Sequence, residues 1–248
     1  MDRASVSAAF ECSLSPALEP AEDLLEYLIC AGLFGNSKAR TTTWGDYGTA
    51  IARQAERIVP RKDAAPILGY FLGGRTRGAV TAVTALFLDF DEIGGSGGGP
   101  GVVDSLRGAL DALSMAYSLS ESCSSAPGAE RWHLVLPLAS KVPFPHEGKE
   151  HSARWALWSA EYVVVADAVC ALAGVPRREW DPMCKNANRI RYVGSRLSES
   201  AAPRQVHHRS GRRLRWGDLV AALRAAGARD PEPAETQTTS QEQAAWSA

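Results

Sequence analysis

Two aspartates two residues apart follow an apolar run in the segment TAVTALFLDFDEIGGSGGGPG, residues 81 to 101. In an extended strand, residues i and i+2 project from the same face, so Asp89 and Asp91 are expected to point the same way. Two parallel carboxylates repel each other unless a cation lies between them, and a divalent metal is the commonest such cation. The pattern therefore predicts a metal site at a strand end, with a pair of solvated carboxylates as the plainer alternative. Glu92 is a weaker candidate because it points to the opposite face.

A second group of reactive side chains opens the segment ERWHLVLPL, residues 130 to 138. On a strand, Arg131 and His133 share one face, while Trp132 and three leucines occupy the other. A guanidinium offers a planar fork for phosphate oxygens, and an imidazole can donate a hydrogen bond to a triphosphate. This strand is predicted to have one core face and one phosphate-binding face. A structural histidine without a ligand is the alternative.

A third group lies in EWDPMCKNANRIRYVGSR, residues 179 to 196. Asp181 precedes Pro182, which favours an extended or turning backbone at the aspartate. Arg189 and Arg191 lie two apart on a predicted strand and are expected to point the same way. One carboxylate and two arginines suit a site for a metal and phosphates. An ordinary Asp-Pro turn beside a surface strand remains the alternative.

Charge is unevenly distributed along a chain whose formal net charge is only −1. From Arg177 to Arg215 there are 11 Lys or Arg residues against three acids, a local excess of eight. Such a segment is typical of a surface that faces a polyanion, although a solvated basic face is the alternative. The five cysteines are scattered without a C-x-x-C pair, which argues against a disulfide framework and a cysteine zinc site. No apolar run suits a signal peptide or a membrane span, so a cytoplasmic protein is expected.

Periodicity and turn residues predict a mixed α/β or α+β core, because helices interleave with strands and two strands follow one another. The chain is expected to form a single domain over residues 1–229, made of two packed α/β subunits. Residues 230–248 are polar and are expected to form a disordered tail. The predicted helices cover 20–34, a segment starting near Thr43, 102–114, 151–173 and 216–226; the predicted strands cover 67–74, 79–91, 115–120, 131–138 and RIRYV at 189–193.

The order of the three groups resembles the archaeo-eukaryotic primase superfamily, in the primase-polymerase branch that plasmids and phages carry. The likeness spans roughly residues 66 to 196 and rests on the Asp-x-Asp strand, on YSLSESCSSAPGAERWHLVLPL and on WDPMCKNANRIRYVGSR. It implies a catalytic core with a central β-sheet, an RRM-like unit, flanked by helices. Two features depart from the wider family: position 131 is Arg where a small residue is frequent, and no cysteine cluster for zinc is present.

The resemblance also assigns roles by position. It implies that Asp89, Asp91 and Asp181 are the catalytic metal ligands, and that His133 holds the phosphates of the incoming nucleotide. Three arginines are expected near that nucleotide, namely Arg131, Arg189 and Arg191.

The function expected from this resemblance is a DNA primase or primase-polymerase, a template-directed nucleotidyltransferase that uses Mg²⁺ or Mn²⁺. Its expected partners are a single-stranded DNA template, which the basic segment would track, and nucleoside triphosphates. A separate replicative helicase is a candidate partner that the sequence leaves open, and the chain itself has no Walker A loop. The alternatives are a non-catalytic replication initiator that binds nucleic acid, and another Asp-x-Asp metal enzyme such as a nuclease or a glycosyltransferase.

Overall fold

Two β-sheets organise the chain, and the larger one carries Asp89 and His133. The computed structural model describes residues 1–17, 23–30, 37–90, 101–126, 130–146, 148–174 and 180–229. Asp91, Glu92, the glycine-rich stretch after them and residues 230–248 lie outside the described residues.

The described residues form five helices and eleven strands, numbered in chain order. The helices are α1 (Arg3–Ser13), α2 (Trp44–Glu56), α3 (Gly101–Ala112), α4 (Gly148–Ala173) and α5 (Trp216–Ala225). The strands are β1 (Leu14–Ala17), β2 (Leu24–Cys30), β3 (Ser37–Thr43), β4 (Ile67–Gly69), β5 (Phe71–Gly73), β6 (Val80–Phe90), β7 (Tyr117–Glu121), β8 (Trp132–Pro143), β9 (Ile190–Tyr192), β10 (Val206–Arg209) and β11 (Arg212–Leu214). The predicted α+β class is confirmed.

The larger sheet is arranged around β8, which pairs antiparallel with β6 on one side. On its other side β8 pairs antiparallel with β7 near its start and parallel with β11 at Leu138. β5, β10 and β1 extend the sheet at its edges. Strand β6 is buried along nearly all of its length, as expected for a strand covered on both faces.

The smaller sheet is antiparallel, in the order β3-β2-β4-β9. The prediction of a helix over residues 20–34 is wrong, because Leu24–Cys30 forms β2 between β3 and β4. The apolar segment LLEYLIC fits a helix face as well as a strand, and pairing with two neighbours decides in favour of the strand. Helix α2 begins where predicted, since Thr43 accepts a hydrogen bond from the backbone N–H of Asp46 at 3.1 Å.

Helices α1, α3, α4 and α5 pack on one another. Within the described residues, α4 is the one helix long and apolar enough to cross a membrane, and most of it is buried inside the protein. It is therefore a core helix by its surroundings. Its Trp158 stacks on Trp216 of α5, with ring centroids 4.4 Å apart.

Three contacts join the two sheets and position one against the other. Tyr70 lies between β4 of the smaller sheet and β5 of the larger one, so the chain passes directly between them. Thr84 of β6 donates a hydrogen bond to the carbonyl of Glu26 on β2 at 2.6 Å. Arg213 of β11 forms a buried ion pair of 2.5 Å with Asp23, just before β2. These connections fix the two sheets relative to each other.

Candidate active site

Asp89 and Asp181, which are 92 residues apart in sequence, are neighbours in the structure. The backbone N–H of Asp181 donates to the carbonyl of Asp89 at 2.8 Å, and the adjacent residues Phe90 and Trp180 form an antiparallel bridge. Asp89 is the penultimate residue of β6, and Asp181 caps the short 3₁₀ helix Pro182–Lys185 by accepting from the N–H of Met183 at 2.8 Å. The strand end and the Asp-Pro turn therefore bring two carboxylates to one place.

His133 faces Asp89 across the pair of central strands. The two residues are directly opposite in the β6–β8 register, and His133 Nε2 lies 3.4 Å from Asp89 Oδ1. Burial lowers the pKa of His133, and the carboxylate of Asp89 offsets this only in part. The imidazole is thus neutral at pH 7 and can donate its Nε2–H to the carboxylate. His133 is 3% exposed, and its Nδ1 is buried without a hydrogen-bond partner among the described residues.

The Asp89 carboxyl is ionised at neutral pH. Burial raises its pKa, but the hydrogen bond from His133 and the positive charges of Arg189 and Lys62 outweigh burial and lower the pKa below its usual value. An ionised, partly enclosed carboxylate is the form that a divalent metal requires.

Arg189 lies just before β9 and binds the second carboxylate. Its Nη2 is 2.5 Å from Asp181 Oδ2, and its side chain is 36% exposed. Because its charge also lowers the pKa of Asp89, the guanidinium lies close to both acids. It can hold the carboxylates together while a part of it stays open to a ligand.

Arg191 lies two residues further along and is buried, with 3% exposure. Its guanidinium donates to Tyr70 Oη at 2.8 Å, to Ser120 Oγ at 3.1 Å and to Tyr47 Oη at 2.8 Å. Ser120 is opposite His133 in the β7–β8 register, so Arg189 and Arg191 reach the same row of the larger sheet. They differ in exposure, and in this structure Arg191 is an internal cation rather than an open phosphate contact.

The remaining predicted site residues are less defined by the structure. Arg131 is half-buried and directly precedes β8, where its carbonyl accepts from the N–H of Ser122 at 2.9 Å. Asp91 lies outside the described residues, so the structure does not place the second aspartate of the Asp-x-Asp pair. Among the described residues, no group of three or more His, Cys, Asp or Glu side chains has a metal-binding arrangement.

The donor set that is described fits a hard divalent cation. Asp89 and Asp181 supply carboxylate oxygens, the ligands that Mg²⁺ and Mn²⁺ prefer, and each oxygen has a lone pair beyond the one that its present partner uses. The charges of both carboxylates reach the Cys184 thiol and raise its pKa after the larger effect of burial, so the two acids form one negative region. We infer that the site is suited to carboxylate-bound magnesium or manganese.

The arginines of the basic segment have partners within the fold, although the side chains of Arg209 and Arg215 are 42% and 47% exposed. All eight arginines that the structure describes between residues 180 and 215 bind groups of the protein itself. Five form ion pairs or hydrogen bonds with carboxylates, and three bind hydroxyls or carbonyls. The first set is Arg189, Arg209, Arg212, Arg213 and Arg215, and the second is Arg191, Arg196 and Arg204. These guanidiniums mostly join parts of the fold, and the binding of a DNA template by this segment stays a prediction.

A cleft of about 610 Å³ lies beside α3, away from the carboxylates. Trp132 and Glu121 line it, whereas His133 and Ser120, one step along the same strands, do not. Because side chains alternate along a strand, this cleft lies on the opposite face of the larger sheet from the acids. Its polar groups bind one another, as Arg107 does with Asp104 at 3.1 Å and with His207 at 3.2 Å.

Two groups near the carboxylates could not be identified from the sequence. Ser120 lies opposite His133 in the sheet, and its hydroxyl accepts a hydrogen bond from Arg191. Lys62 lies in the turn before β4, and its charge lowers the pKa of both Asp89 and His133. The segment VPRKDAAP marks a turn, but nothing in its composition connects a lysine there with an acid 27 residues later.

Solved structures to which the chain is similar include three of primases or primase-polymerases. One is the AEP domain of the cyanophage S-2L primase-polymerase, with 16% identity and a TM-score of 0.40 over 80% of this chain and 88% of that one. The second is primase RepB′, with 7% identity and a TM-score of 0.32 over 91% of this chain and 62% of that one. The third is the catalytic domain of primase RepB′ in complex with initiator DNA, with 7% identity and a TM-score of 0.32 over 92% and 94%.

No protein-family model matches the chain, and no curated protein matches it. The solved structures above are primases or primase-polymerases, the class that the three sequence motifs resemble. With TM-scores of 0.40 and below, these likenesses carry no weight for the activity, which rests on the side chains themselves.

Proposed function

We propose that this chain is a DNA primase or primase-polymerase, a metal-dependent nucleotidyltransferase that synthesises primers on single-stranded DNA in plasmid or phage replication. The observation that supports it best is the 2.8 Å backbone hydrogen bond from Asp181 to Asp89. It brings together the two acidic motifs that a primase needs at one strand end. The cytoplasm is the proposed site of action.

The proposed metal ligands are Asp89, Asp181 and Asp91. When bound, Mg²⁺ or Mn²⁺ would lower the pKa of the attacking 3′-hydroxyl and neutralise charge on the triphosphate. The protein's own contribution is to orient the two described carboxylates. His133 donates to Asp89, and Arg189 binds Asp181, so these two side chains are fixed before a substrate arrives.

The proposed reaction joins the 3′-oxygen of one nucleotide to the α-phosphorus of the next and releases pyrophosphate. The developing negative charge lies on phosphate oxygens, so nearby cations stabilise the transition state more than the ground state. Arg189 is the best placed of the predicted arginines, since its guanidinium contacts Asp181 and remains 36% exposed. Arg131 is proposed to contact the nucleotide from the start of β8.

The test is primer synthesis on a single-stranded DNA circle with labelled nucleoside triphosphates and Mg²⁺ or Mn²⁺. Asp89→Asn and Asp181→Asn are expected to lower the rate at least about a hundredfold, because a metal site supplies several kcal/mol to such a reaction. Asp218→Asn is the matched control, because Asp218 is an exposed acid on α5 that pairs with Arg215. Thermal unfolding of each variant checks that the fold is kept.

Other outcomes distinguish the alternatives. Metal-dependent loss of the DNA circle without labelled product would indicate a nuclease. DNA binding that persists in Asp89→Asn, with no synthesis by the wild type under any metal, would indicate a non-catalytic initiator. Either result would contradict the primase proposal.

A further inference from the structure

His133 is enclosed within the larger sheet, at the end that carries the carboxylates. Its strand β8 pairs antiparallel with β6 on one side and with β7 on the other, so Asp89 is opposite His133 on β6 and Ser120 is opposite it on β7. Phe87 lies two residues before Asp89 on the same face, and its ring centroid is 5.5 Å from that of the imidazole. The imidazole therefore has a fixed place between two neighbouring strands.

Neither nitrogen of the His133 ring is open to a ligand in this arrangement. Nε2 lies 3.4 Å from Asp89 Oδ1. An ionised carboxylate only accepts hydrogen bonds, so Nε2 carries a hydrogen whether the ring is neutral or charged. Nδ1 is buried and has no hydrogen-bond partner in the described part of the chain. A phosphate oxygen could therefore reach the imidazole only if the surrounding strands moved or the contact with Asp89 were given up.

The Asp89 carboxylate is more open than the histidine behind it. The side chain of Asp89 is 19% exposed, against 4% for that of His133. The contact uses Oδ1, and the carboxylate has a second oxygen and further lone pairs for a cation. Carboxylates that bind metals are themselves held by hydrogen bonds, which orient them towards the ion. His133 has this relation to Asp89.

The second described carboxylate, that of Asp181, is held differently. Arg189 Nη2 binds Asp181 Oδ2, and 36% of the Arg189 side chain remains exposed. A guanidinium has five donors, so Arg189 can orient the carboxylate and still contact a phosphate. His133 is only 3% exposed and has no such open portion. The two basic side chains that contact the carboxylates thus differ in what they can reach.

We propose that His133 is a positioning residue for the metal ligand Asp89 and does not contact the phosphates of the incoming nucleotide. Its Nε2–H orients the carboxylate for the divalent cation, so loss of this donor lowers the affinity for the metal. This inference rests on the proposed function, because it concerns the same metal site. It departs from the role in nucleotide binding that the family resemblance implies for this histidine, and it leaves the phosphates to the metal and to Arg189.

The experiment measures the dissociation constant of Mn²⁺ alone for the full chain, from the electron paramagnetic resonance signal of the free ion. His133→Leu removes the donor and is expected to weaken Mn²⁺ binding about tenfold to a hundredfold, the range found when a hydrogen-bond partner of a metal ligand is removed. In His133→Gln the amide nitrogen can take the place of Nε2, so Mn²⁺ affinity is expected to stay within about fivefold of the wild type.

A second measurement separates the metal from the phosphates. Its ligand is a dATP analogue with an imido bridge between the α- and β-phosphates, which binds without reacting. At Mn²⁺ concentrations that saturate each variant, His133→Leu is expected to bind the analogue within about threefold of the wild type, because the lost donor does not reach the phosphates.

His207→Leu is the matched control. His207 is a half-buried histidine on β10 that lines the cleft on the opposite face of the larger sheet. Its replacement removes one imidazole from the same sheet and should leave both dissociation constants unchanged. Thermal unfolding checks that each variant keeps the fold, and His133→Met, a second variant without a donor, is used if His133→Leu unfolds.

Three results would overturn the inference. In the first, His133→Leu binds Mn²⁺ as the wild type does. In the second, its affinity for the analogue falls at saturating Mn²⁺, which would make His133 a phosphate contact. In the third, His133→Gln loses as much Mn²⁺ affinity as His133→Leu, which would assign the effect to packing rather than to the donor. If the wild type synthesises primers in these cases, the proposed function stands and only the role of His133 fails; if the wild type neither binds Mn²⁺ nor synthesises primers, both fail.

Discussion

Replacement of Arg191 by Met is the sharpest test of how the two sheets are joined beside the carboxylates. The sequence pattern places Arg191 near the nucleotide, whereas the structure buries its guanidinium against Tyr47, Tyr70 and Ser120. Three hydrogen bonds from a charged donor contribute about 1.5–3 kcal/mol each, and burying the guanidinium costs several kcal/mol in return. Met fills similar space, but the Ser120 hydroxyl is left without its donor. The free energy of unfolding is therefore expected to fall by about 2–4 kcal/mol.

The measurement is urea unfolding followed by tryptophan fluorescence, with thermal unfolding as a second readout. For a domain of this size, a loss of 2–4 kcal/mol lowers Tm by about 5–15 °C. Arg189→Met is the matched control: its partly exposed pair with Asp181 should cost about 1 kcal/mol or less in stability, while primer synthesis should fall. If Arg191→Met unfolds like the wild type but loses dATP affinity, the guanidinium reaches the nucleotide and its role as an internal cation is refuted.

Further predictions concern buried contacts of the fold and the charges of the basic segment. Gly48→Ala should destabilise the fold although Ala favours helices, because its Cβ would lie 2.2 Å from the His208 ring. In a His208→Ala background the same change should instead stabilise by up to about 1 kcal/mol. Urea unfolding of the wild type, the two single variants and the double variant tests this reversal of sign. Burial lowers the pKa of His208 to about 4, so the unfolded chain binds more protons than the folded one between pH 6.5 and 4. The free energy of unfolding should therefore drop by about 3 kcal/mol as the pH falls through that window. His208→Phe should flatten this part of the stability profile, and an unchanged profile would contradict the reasoning. Asp23→Ala should lower the free energy of unfolding by about 3–5 kcal/mol, because it leaves the buried Arg213 guanidinium without its carboxylate partner. Asp23→Leu combined with Arg213→Met should cost clearly less, and equal losses in urea unfolding would show that the ion pair is not the cause. The logarithm of the binding constant for oligo-dT should fall with the logarithm of the salt concentration with a slope shallower than about −3. Neutralising eight phosphates, the local charge excess of the segment, would give a slope of about −5.6. A measured slope near that value would show that the arginines of the segment leave their partners for DNA.

Much of the larger sheet and the start of helix α2 could be predicted because their sequence signals are local. The run that ends at Asp89 is apolar over a strand's length, and the structure extends it as β6 from Val80 to Phe90. Thr43 is followed by an acid three residues later, a pattern that starts helices through local hydrogen bonds, and α2 begins there. Both signals depend on neighbours within a few residues, so no knowledge of the tertiary structure is needed.

In the smaller sheet, β4 and β9 lie within predicted strands, whereas β2 and β3 were missed because only pairing with their neighbours reveals them as strands. β2 has an apolar sequence that suits a helix face, and the strand beside it, Ser37–Thr43, is polar and largely exposed. An edge strand of this kind carries no hydrophobic alternation that could reveal it.

The basic segment shows how little a local count of charges says about their partners. Arginine attracts phosphate, but its five donors also bind carbonyls and carboxylates, and a charge count cannot tell which of these it will meet. In this protein the chain from β9 to α5 returns across both sheets and lies against residues from distant parts of the sequence, such as Glu11 with Arg212 and Asp111 with Arg209. A returning segment of this kind needs many polar contacts to hold it in place, and arginines provide them. Among the arginines of this segment that the structure describes, Arg189, Arg209 and Arg215 keep 36%, 42% and 47% of their side chains exposed, so a nucleic acid would meet these few side chains rather than the whole set.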